Sequence, residues 1–210
     1  MSYYPIFLDL TGRCCVVIGG GAVAERRVDG LLAAGAQVTV VSPEISEGLR
    51  RRLILQPSLK HLARRYESGD LTGCAIAFAA TDDETINAAV FDEARTRGIW
   101  VNCADDPSHC DFISPAVIRR GELCVALSTG GASPASTRAV REELEDFLTD
   151  DFAQLVETAS EVRRELRQRS IQATPEAWNR ALDGAFRRLI HEGKASEAKR
   201  LLLASLEAKS

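Results

Sequence analysis

The sequence predicts an α/β fold: a doubly wound parallel sheet, followed by a small α+β segment and an all-helical C-terminal domain. Two observations predict it. Up to about Asp111, short apolar runs of strand length alternate with segments of helical spacing. From Asp151 onward, the apolar residues recur with a helical period. We therefore expect three regions, with boundaries at 1–112, 113–147 and 148–210.

The first elements form a strand–helix–strand unit. Residues 13–18 are a short β-rich run, and three consecutive glycines, residues 19–21, follow it. Residues 23–34 have apolar side chains at helical spacing, and Gly35 is a natural helix stop. Residues 37–41 form a second strand. This order is typical of neighbouring strands in a parallel sheet.

The same alternation continues along the chain. We expect a helix over 44–53, a weak strand over 61–66, a buried strand over 74–79, a helix over 85–97 and a strand over 99–102. After these, residues 112–115 lead into a short helix through Arg120. We then expect a strand over 122–127 and a helix from the N-cap Ser133 to about Phe147. Three apolar helical stripes follow, over 152–166, 178–190 and 198–206.

The composition excludes several classes of protein. With 45% hydrophobic and 27% charged residues, the chain is too apolar to be disordered. Its net charge of −4 does not suggest nucleic-acid binding. No apolar run is long enough to span a bilayer, and the N-terminus does not resemble a signal peptide. We therefore expect a cytoplasmic location, with no membrane or nucleic-acid partner.

The six cysteines do not form a metal-binding pattern. They lack the C-x-x-C spacing that zinc and iron–sulfur sites favour, and several lie inside apolar runs. We expect buried free thiols and no resident metal.

The glycines after the first strand predict a dinucleotide site. Gly19-x-Gly21-x-x-Ala24 leads directly from a strand into a helix, as in Rossmann-type folds. There the first glycine permits a tight turn, and the second lets a pyrophosphate approach the helix N-terminus. We expect Gly19, Gly21, Ala22 and Val23 to contact the cofactor, although a similar turn also occurs without one.

The ends of the next two strands indicate which cofactor binds. Ser42, Pro43 and Glu44 follow the second strand, where an acidic residue usually holds the ribose. No arginine follows at once to bind a 2′-phosphate, and Arg50–Arg52 suit a solvated helix face, so we expect NAD rather than NADP. Thr81 follows the buried strand and is a further cofactor contact. The adjacent Asp82 and Asp83 fit helix capping better than cofactor binding.

Asp105 and Asp106 follow the next strand, at the same edge of the predicted sheet. Paired carboxylates can raise each other's pKa, so one of them is a candidate general base beside the nicotinamide. The pattern Asp106-Pro107 equally fits a turn. These residues leave both interpretations open.

A second glycine-rich turn, residues 127–134, also leads from a strand into a helix. Its backbone and hydroxyl groups suit an anion, and four arginines lie near it in the sequence. The candidate substrate-binding residues are Arg119, Arg120, Ser128, Thr129, Gly130, Gly131, Ser133 and Arg138, with Arg141 also flanking the turn. The alternative is an ordinary helix cap with solvated arginines.

Six motifs in this order give a family resemblance. They are Pro5-Ile-Phe-Leu-Asp, Gly19-Gly-Gly-Ala-Val-Ala-Glu-Arg-Arg, Ala79-Ala-Thr-Asp-Asp, Val101-Asn-Cys-Ala-Asp-Asp-Pro, Phe112-Ile-Ser-Pro-Ala and Leu127-Ser-Thr-Gly-Gly-Ala-Ser-Pro. Over about residues 1–147 the chain closely resembles precorrin-2 dehydrogenase, the N-terminal module of siroheme synthase. The tail after residue 147 resembles the family only in being helical.

The resemblance implies an activity and partners. Family members use NAD to oxidise precorrin-2 to sirohydrochlorin in siroheme biosynthesis, and some also insert Fe²⁺ as a sirohydrochlorin ferrochelatase. They are homodimers, with the central segment and helical tails at the interface. The methyltransferase module often appended in the family does not follow within these 210 residues. We therefore expect no synthesis of precorrin-2 from uroporphyrinogen.

The resemblance also assigns roles to individual residues. The family's functional aspartate corresponds to Asp105, and its hydroxyl in the second glycine turn corresponds to Thr129. Some members have serine at the position of Thr129, which puts a serine-specific modification in doubt here, and many have lysine at the position of Arg27.

Two other functions compete with this one: a non-catalytic, NAD-sensing Rossmann module, and an unrelated NAD-dependent dehydrogenase. A sensing module needs neither the second glycine turn nor a base at Asp105, and a dehydrogenase of an unrelated small substrate does not need the arginine cluster. His109, close to Asp105 in the sequence, fits a polar loop residue better than a functional group.

Overall fold

Five parallel strands organise the N-terminal half of the computed structural model, which describes residues 3–207. The strands are β1 Cys14–Ile18, β2 Gln37–Val41, β3 Leu59–Leu62, β4 Ile76–Ala79 and β5 Trp100–Cys103. They are arranged in the order β3-β2-β1-β4-β5. The order reverses between β1 and β4, so their carboxyl ends form the ligand crevice of a doubly wound sheet. The predicted Rossmann-type fold is confirmed.

Three helices cover this sheet: α1 Ala22–Ala33, α2 Glu47–Leu55 and α3 Glu84–Arg97. The central strands are apolar on both faces, as buried parallel strands must be. One face packs with α1 through the fully buried Ala24 and Val28, and the other packs with α3 through Val90 and Ala94. Burial on both faces fixes where the strand ends lie.

Side-chain caps determine where two of these helices begin. Ser46 accepts a hydrogen bond from the backbone N–H of Leu49 at α2. Asp83 accepts from the N–H groups of Thr85 and Ile86 at α3, at 3.0 and 3.2 Å. The capping interpretation of Asp83 is therefore confirmed. Helix α1 follows the N-cap Gly21, and no side chain of the described residues caps it.

Two predictions in this region were wrong. The weak strand expected over 61–66 lies earlier, as β3, where Leu59 is buried beside Val38 of β2. The helix expected up to Arg120 is instead strand β6, Ala116–Arg120, which pairs antiparallel with β7, Leu123–Leu127. The β-branched Val117 and Ile118 favour a strand, and Gly121, at φ 56°, permits the tight turn between β6 and β7.

The remaining helices are α4 Pro134–Phe147, α5 Asp150–Gln168, α6 Pro175–Ala181, α7 Gly184–His191 and α8 Ala195–Glu207. The single stripe expected over 178–190 is divided between α6 and α7. The break occurs where Asp183 caps the N–H of Ala185. The fully buried Phe186 and Leu202 lie in the core that α5 to α8 share.

The chain divides into two compact units, residues 1–114 and 115–210. Within the second, α4 packs on β6, and α5 packs on both β6 and β7. The three-region division remains a prediction.

The cysteines are free thiols, but their burial varies. Cys15 and Cys103 are buried, whereas Cys14 is exposed, so the expectation of buried thiols is wrong at that position. Burial raises the pKa of the Cys15 thiol to about 11 and that of Cys103 to about 12. Between residues 3 and 207, no group of three or more His, Cys, Asp or Glu side chains could hold a metal ion. None of the helices in that range has the length and apolarity needed to cross a bilayer.

Candidate functional site

The first glycine turn allows three loops to meet at the carboxyl edge of the sheet. Gly19 has φ 122°, and a Cβ there would collide with the carbonyl of Ala80, after β4. A Cβ at Gly20 would collide with the carbonyl of Glu44, after β2. Glycine is therefore required at both positions. Gly19 also donates its N–H to the carbonyl of Val41, at 3.0 Å.

The N-terminus of α1 is open to a ligand. The first intrahelical bond runs from the N–H of Glu25 to the carbonyl of Gly21, so the N–H groups of residues 22–24 have no helical acceptor. No side chain caps this helix, and a Cβ at Gly21 would have no atom within 4 Å among the residues described. Free N–H groups beside open space fit the pyrophosphate of a dinucleotide. Of the predicted contacts here, Ala22 is exposed and Val23 half-buried.

The loop after β2 lies beside this turn. Ser42 is buried and donates its hydroxyl to the carbonyl of Glu44, at 2.6 Å. Only the lone pairs of its oxygen remain for a ribose hydroxyl, so Ser42 mainly shapes the loop. Pro43 and Glu44 are exposed. Glu44 is therefore the stronger candidate for the ribose, whose hydroxyls a carboxylate accepts.

Arg52 does not lie on a solvated face as expected. It bridges α2 to α1, forming ion pairs with Glu25, at 2.7 Å, and with Asp29. Glu25 also accepts a hydrogen bond from Ser46, at 2.6 Å. The Ser46 hydrogen bond and the Arg52 contacts lower the pKa of Glu25. This network fixes α1 against α2 and leaves Arg52 unavailable to a 2′-phosphate.

Thr81, after β4, is held by α3. Its hydroxyl lies 2.9 Å from the side-chain oxygen of Asn87, whose amide donates to the Thr81 carbonyl at the same distance. These bonds position the loop at the crevice. They also occupy the hydroxyl that was predicted to contact the cofactor.

Asp105 lies at the crevice in an unusual backbone conformation. Its φ is 60°, in the left-handed region that aspartate tolerates better than most residues. The preceding residue, Ala104, donates its N–H to the carbonyl of Ala79, at 2.8 Å, which ties the loop to β4. The carboxylate of Asp105 forms no hydrogen bond within residues 3–207. It is therefore free to accept a proton from a ligand.

Asp106 behaves differently, and the expectation of a raised pKa is wrong for it. Its carboxylate accepts from Ser108 and lies 2.5 Å from Nδ1 of His109. These hydrogen bonds lower the pKa of Asp106 to about 2. His109 also packs edge-on against the ring of Phe91. Asp106 and His109 thus form a local turn, and Asp105 remains the candidate base.

The second glycine turn, in the second unit, uses most of its own hydrogen-bonding groups. The N–H of Gly130 donates to the hydroxyl of Ser128, at 3.0 Å, and Ser133 caps α4 by accepting from Ser136. The hydroxyl of Thr129 lies 2.8 Å from that of Thr137. Gly130 and Gly131 both have positive φ, at 65° and 85°. The helix-cap alternative accounts for these contacts, and an anion has fewer free donors here than expected.

The arginines flanking that turn fall into two groups. Arg120 donates to the carbonyls of Leu148 and Glu145 at the end of α4, so it is a structural residue and a poor candidate for substrate binding. Arg141 pairs with Glu145, at 2.6 Å. Arg119 and Arg138 are exposed and have no ion pair within the described part of the chain. They remain available to an anionic ligand.

Comparison with known proteins identifies the family. A family model described as "Putative NAD(P)-binding" matches residues 6–116, slightly more than half of the chain. The chain belongs to this family. This match confirms the prediction that the chain binds a nicotinamide dinucleotide, which the open N-terminus of α1 suits.

Individual relatives extend the similarity beyond this region. A siroheme synthase from Nitrosomonas europaea is 39% identical over 209 residues, and one from Methylococcus capsulatus is 40% identical over 214. Each alignment covers 99% of this chain but 44% of the relative, so the chain spans less than half the length of these proteins. The solved structure of SirC, a precorrin-2 dehydrogenase, has a TM-score of 0.73 and 27% identity. That match covers 98% of this chain and 100% of SirC.

Some residues that shape this region were not recognisable as functional from the sequence. Gly20 is required for the close approach of Glu44, and only its place among three glycines could have shown this. Asn87, which holds Thr81, is an ordinary helix residue in sequence. Arg27 lies on the buried side of α1, beside Ala24 and Val28. A charged residue among apolar positions is a signal that the sequence itself contains.

The open space at Gly21 predicts that Gly21→Asp abolishes tight dinucleotide binding. The backbone accepts the substitution, because φ is −82°, but the new carboxylate would occupy the anion position. We expect the Kd for NAD⁺ to rise by about tenfold or more. Isothermal titration measures this change, and the wild-type protein should bind NAD⁺ more tightly than NADP⁺.

Gly30→Asp is the matched control, because it adds the same charge at another open position on α1. The control should bind NAD⁺ normally. Equal binding by Gly21→Asp and the wild-type protein would contradict this placement of the pyrophosphate.

Proposed function

We propose that this chain is an NAD-dependent precorrin-2 dehydrogenase, which produces sirohydrochlorin in siroheme biosynthesis. One structural observation carries the proposal. The open N-terminus of α1 lies at the same edge of the sheet as the carboxylate of Asp105, which forms no hydrogen bond within residues 3–207. Similarity to SirC along nearly the full length of both chains supports the choice of substrate.

The reaction removes two electrons and two hydrogens from precorrin-2, as a hydride and a proton. Bound NAD⁺ supplies the hydride acceptor. Asp105 accepts the proton, because its carboxylate is not engaged by other groups of the described chain. Asp106 is a poorer acceptor, since its hydrogen bonds favour the ionised form and lower its pKa to about 2.

NAD is the expected dinucleotide rather than NADP. The exposed carboxylate of Glu44 suits the free ribose hydroxyls and would repel a 2′-phosphate. Arg52 is committed to Glu25 and Asp29.

The second unit has candidate substrate-binding cations of its own, near the second glycine turn. Precorrin-2 has eight carboxylates, and arginine binds carboxylates through two parallel hydrogen bonds. Arg119 and Arg138 are the candidates there, with the turn residues Ser128 to Ser133. A purely NAD-sensing module would need neither these cations nor the free Asp105, and the named relatives do not favour it.

The role of Asp105 predicts that Asp105→Asn lowers dehydrogenase turnover by about 10²-fold or more, the usual contribution of a general base. Asparagine keeps the shape and tolerates the positive φ, so the fold and the Kd for NAD⁺ should change little. Anaerobic conversion of precorrin-2, followed by the absorbance of sirohydrochlorin, measures the rate.

Asp106→Asn is the control for this experiment, and its effect should be milder. Normal turnover in Asp105→Asn would return Asp105 to the role of a turn residue.

We also propose a cytoplasmic homodimer. Val117 on β6, Val140 and Phe147 on α4, and Leu201 on α8 are apolar side chains that remain exposed. A two-fold interface built from the second unit would cover such positions. Light scattering at about micromolar concentration should give twice the chain mass. A monomer would refute the proposal.

Insertion of Fe²⁺ into sirohydrochlorin is a second candidate function. A base must remove the pyrrole protons, and the free Asp105 carboxylate could serve both reactions. A chelatase needs no tight metal site, since it must release the metal, and the described residues contain none.

Purified sirohydrochlorin with Fe²⁺ or Co²⁺, followed spectrally without oxygen, tests this function. We expect a rate above the enzyme-free control that is lost in Asp105→Asn. A rate equal to the control would exclude chelation, and a rate that survives the substitution would assign it to another base.

A further inference from the structure

Arg27 occupies an unusual position in the first unit. It lies on the side of α1 that also carries the buried residues Ala24, Val28 and Leu31. Its guanidinium lies over the ring of Phe78 on β4, with Cζ 5.4 Å from the ring centroid. Phe78 is itself buried and packs edge-on against Phe112. These contacts hold the cation between α1 and β4.

No carboxylate forms an ion pair or hydrogen bond with this cation in the described part of the chain. The other arginines of residues 3–114 either form an ion pair with a carboxylate or are exposed. Arg27 is half-buried, and no hydrogen bond or ion pair joins it to another residue between 3 and 207. Burial lowers the pKa of its guanidinium, the adjacent Arg26 lowers it further, and Asp105 opposes both. Enclosing a cation without a partner is unfavourable, so the arrangement suits an anion that arrives from solution.

The surroundings indicate where that anion lies. Phe78 and Asn102 are register partners on β4 and β5, so the stacked guanidinium lies near the strand that leads to Asp105. The side-chain amide of Asn102 is not free, because it donates to the carbonyl of Phe112. Arg27 is therefore the available donor beside the candidate base on this face of the sheet.

We propose that Arg27 binds a carboxylate of the tetrapyrrole substrate and thereby holds the reacting carbon skeleton against Asp105. The inference rests on the proposed function. The pyrophosphate of the cofactor is the other possible anion, but it is served by the N–H groups at the start of α1. Arg27 lies six residues beyond Gly21, about 9 Å further along the helix axis. The planar guanidinium fork also matches a carboxylate.

The test compares Arg27→Gln with the matched control Arg26→Gln, which removes the same charge from an exposed neighbour on the same helix. Sirohydrochlorin, the product and also an octacarboxylate, is titrated anaerobically without NAD, and binding is followed by its absorbance. We expect Arg27→Gln to weaken binding by about 10- to 100-fold, the usual effect of losing a charge-assisted pair. Arg26→Gln should bind normally, and Arg27→Lys should be intermediate.

Two further measurements distinguish this role from others. The Kd for NAD⁺ should be the same in Arg27→Gln as in the wild-type protein. A weaker Kd for NAD⁺ with unchanged tetrapyrrole binding would assign Arg27 to the pyrophosphate and overturn the inference. The Tm of the free Arg27→Gln protein should be unchanged or higher, because an unpaired cation has been removed. A lower Tm with unchanged tetrapyrrole affinity would show a structural role and also overturn it.

The outcome for the wild-type protein separates the two proposals. If the wild-type protein binds sirohydrochlorin and Arg27→Gln binds it equally well, the inference fails while the proposed function stands. If the wild-type protein does not bind sirohydrochlorin, the proposed function fails and the inference falls with it.

Discussion

The close backbone approach at Gly19 and Gly20 is the constraint on which the cofactor site depends. Side chains at these positions would collide with the carbonyls of Ala80 and Glu44, so the loops after β1, β2 and β4 can meet only through glycine. Their meeting places the N-terminus of α1 at the carboxyl edge of the sheet. The fully buried Ala24 then seats the helix on the strands. The anion site is thus a consequence of backbone packing rather than of any one polar side chain.

The contrast between the two glycine-rich turns follows from their hydrogen bonds. Both lead from a strand into a helix, and their sequences look equally suited to an anion. At α1 the cap is a glycine, so the first-turn N–H groups remain free. At α4 the hydroxyls of Ser128 and Ser133 accept N–H groups of their own turn. The hydroxyl groups that made the second turn look polar therefore compete with a ligand for its donors.

The sequence was most informative where one local pattern decides the structure. Strand length, glycine stops and helix caps predicted β1, α1, β2 and α3 closely, because neighbouring residues determine these elements. It failed at β6, where a strand exists only by pairing with β7, and at β3, an edge strand defined by β2. Cross-strand pairing involves distant residues that no local periodicity records.

The candidate site shows the same division between local and long-range information. The glycine motif located the cofactor turn, since its spacing reflects a backbone requirement. The sequence does not show which of Asp105 and Asp106 has hydrogen-bond partners. The difference arises because Ser108 and His109 fold back onto Asp106. Arg52 and Arg120 likewise looked like solvated or ligand-binding cations. The structure joins Arg52 to α1 and Arg120 to the end of α4.

Whether a charged side chain has a partner within the chain therefore distinguishes structural from functional residues more clearly than its residue type does. Arg52 and Asp106 have partners within the chain, and those partners fix local geometry. Arg27 and Asp105, one cation and one anion at the same crevice, lack hydrogen-bonded partners in the described residues. Arg27 is half-buried, and a half-buried charge without a partner has a free-energy cost that a bound ligand can remove; Asp105 is exposed, so its carboxylate is open to a ligand instead. Such residues are where binding energy is available to orient a substrate, and in this chain they lie beside the dinucleotide site.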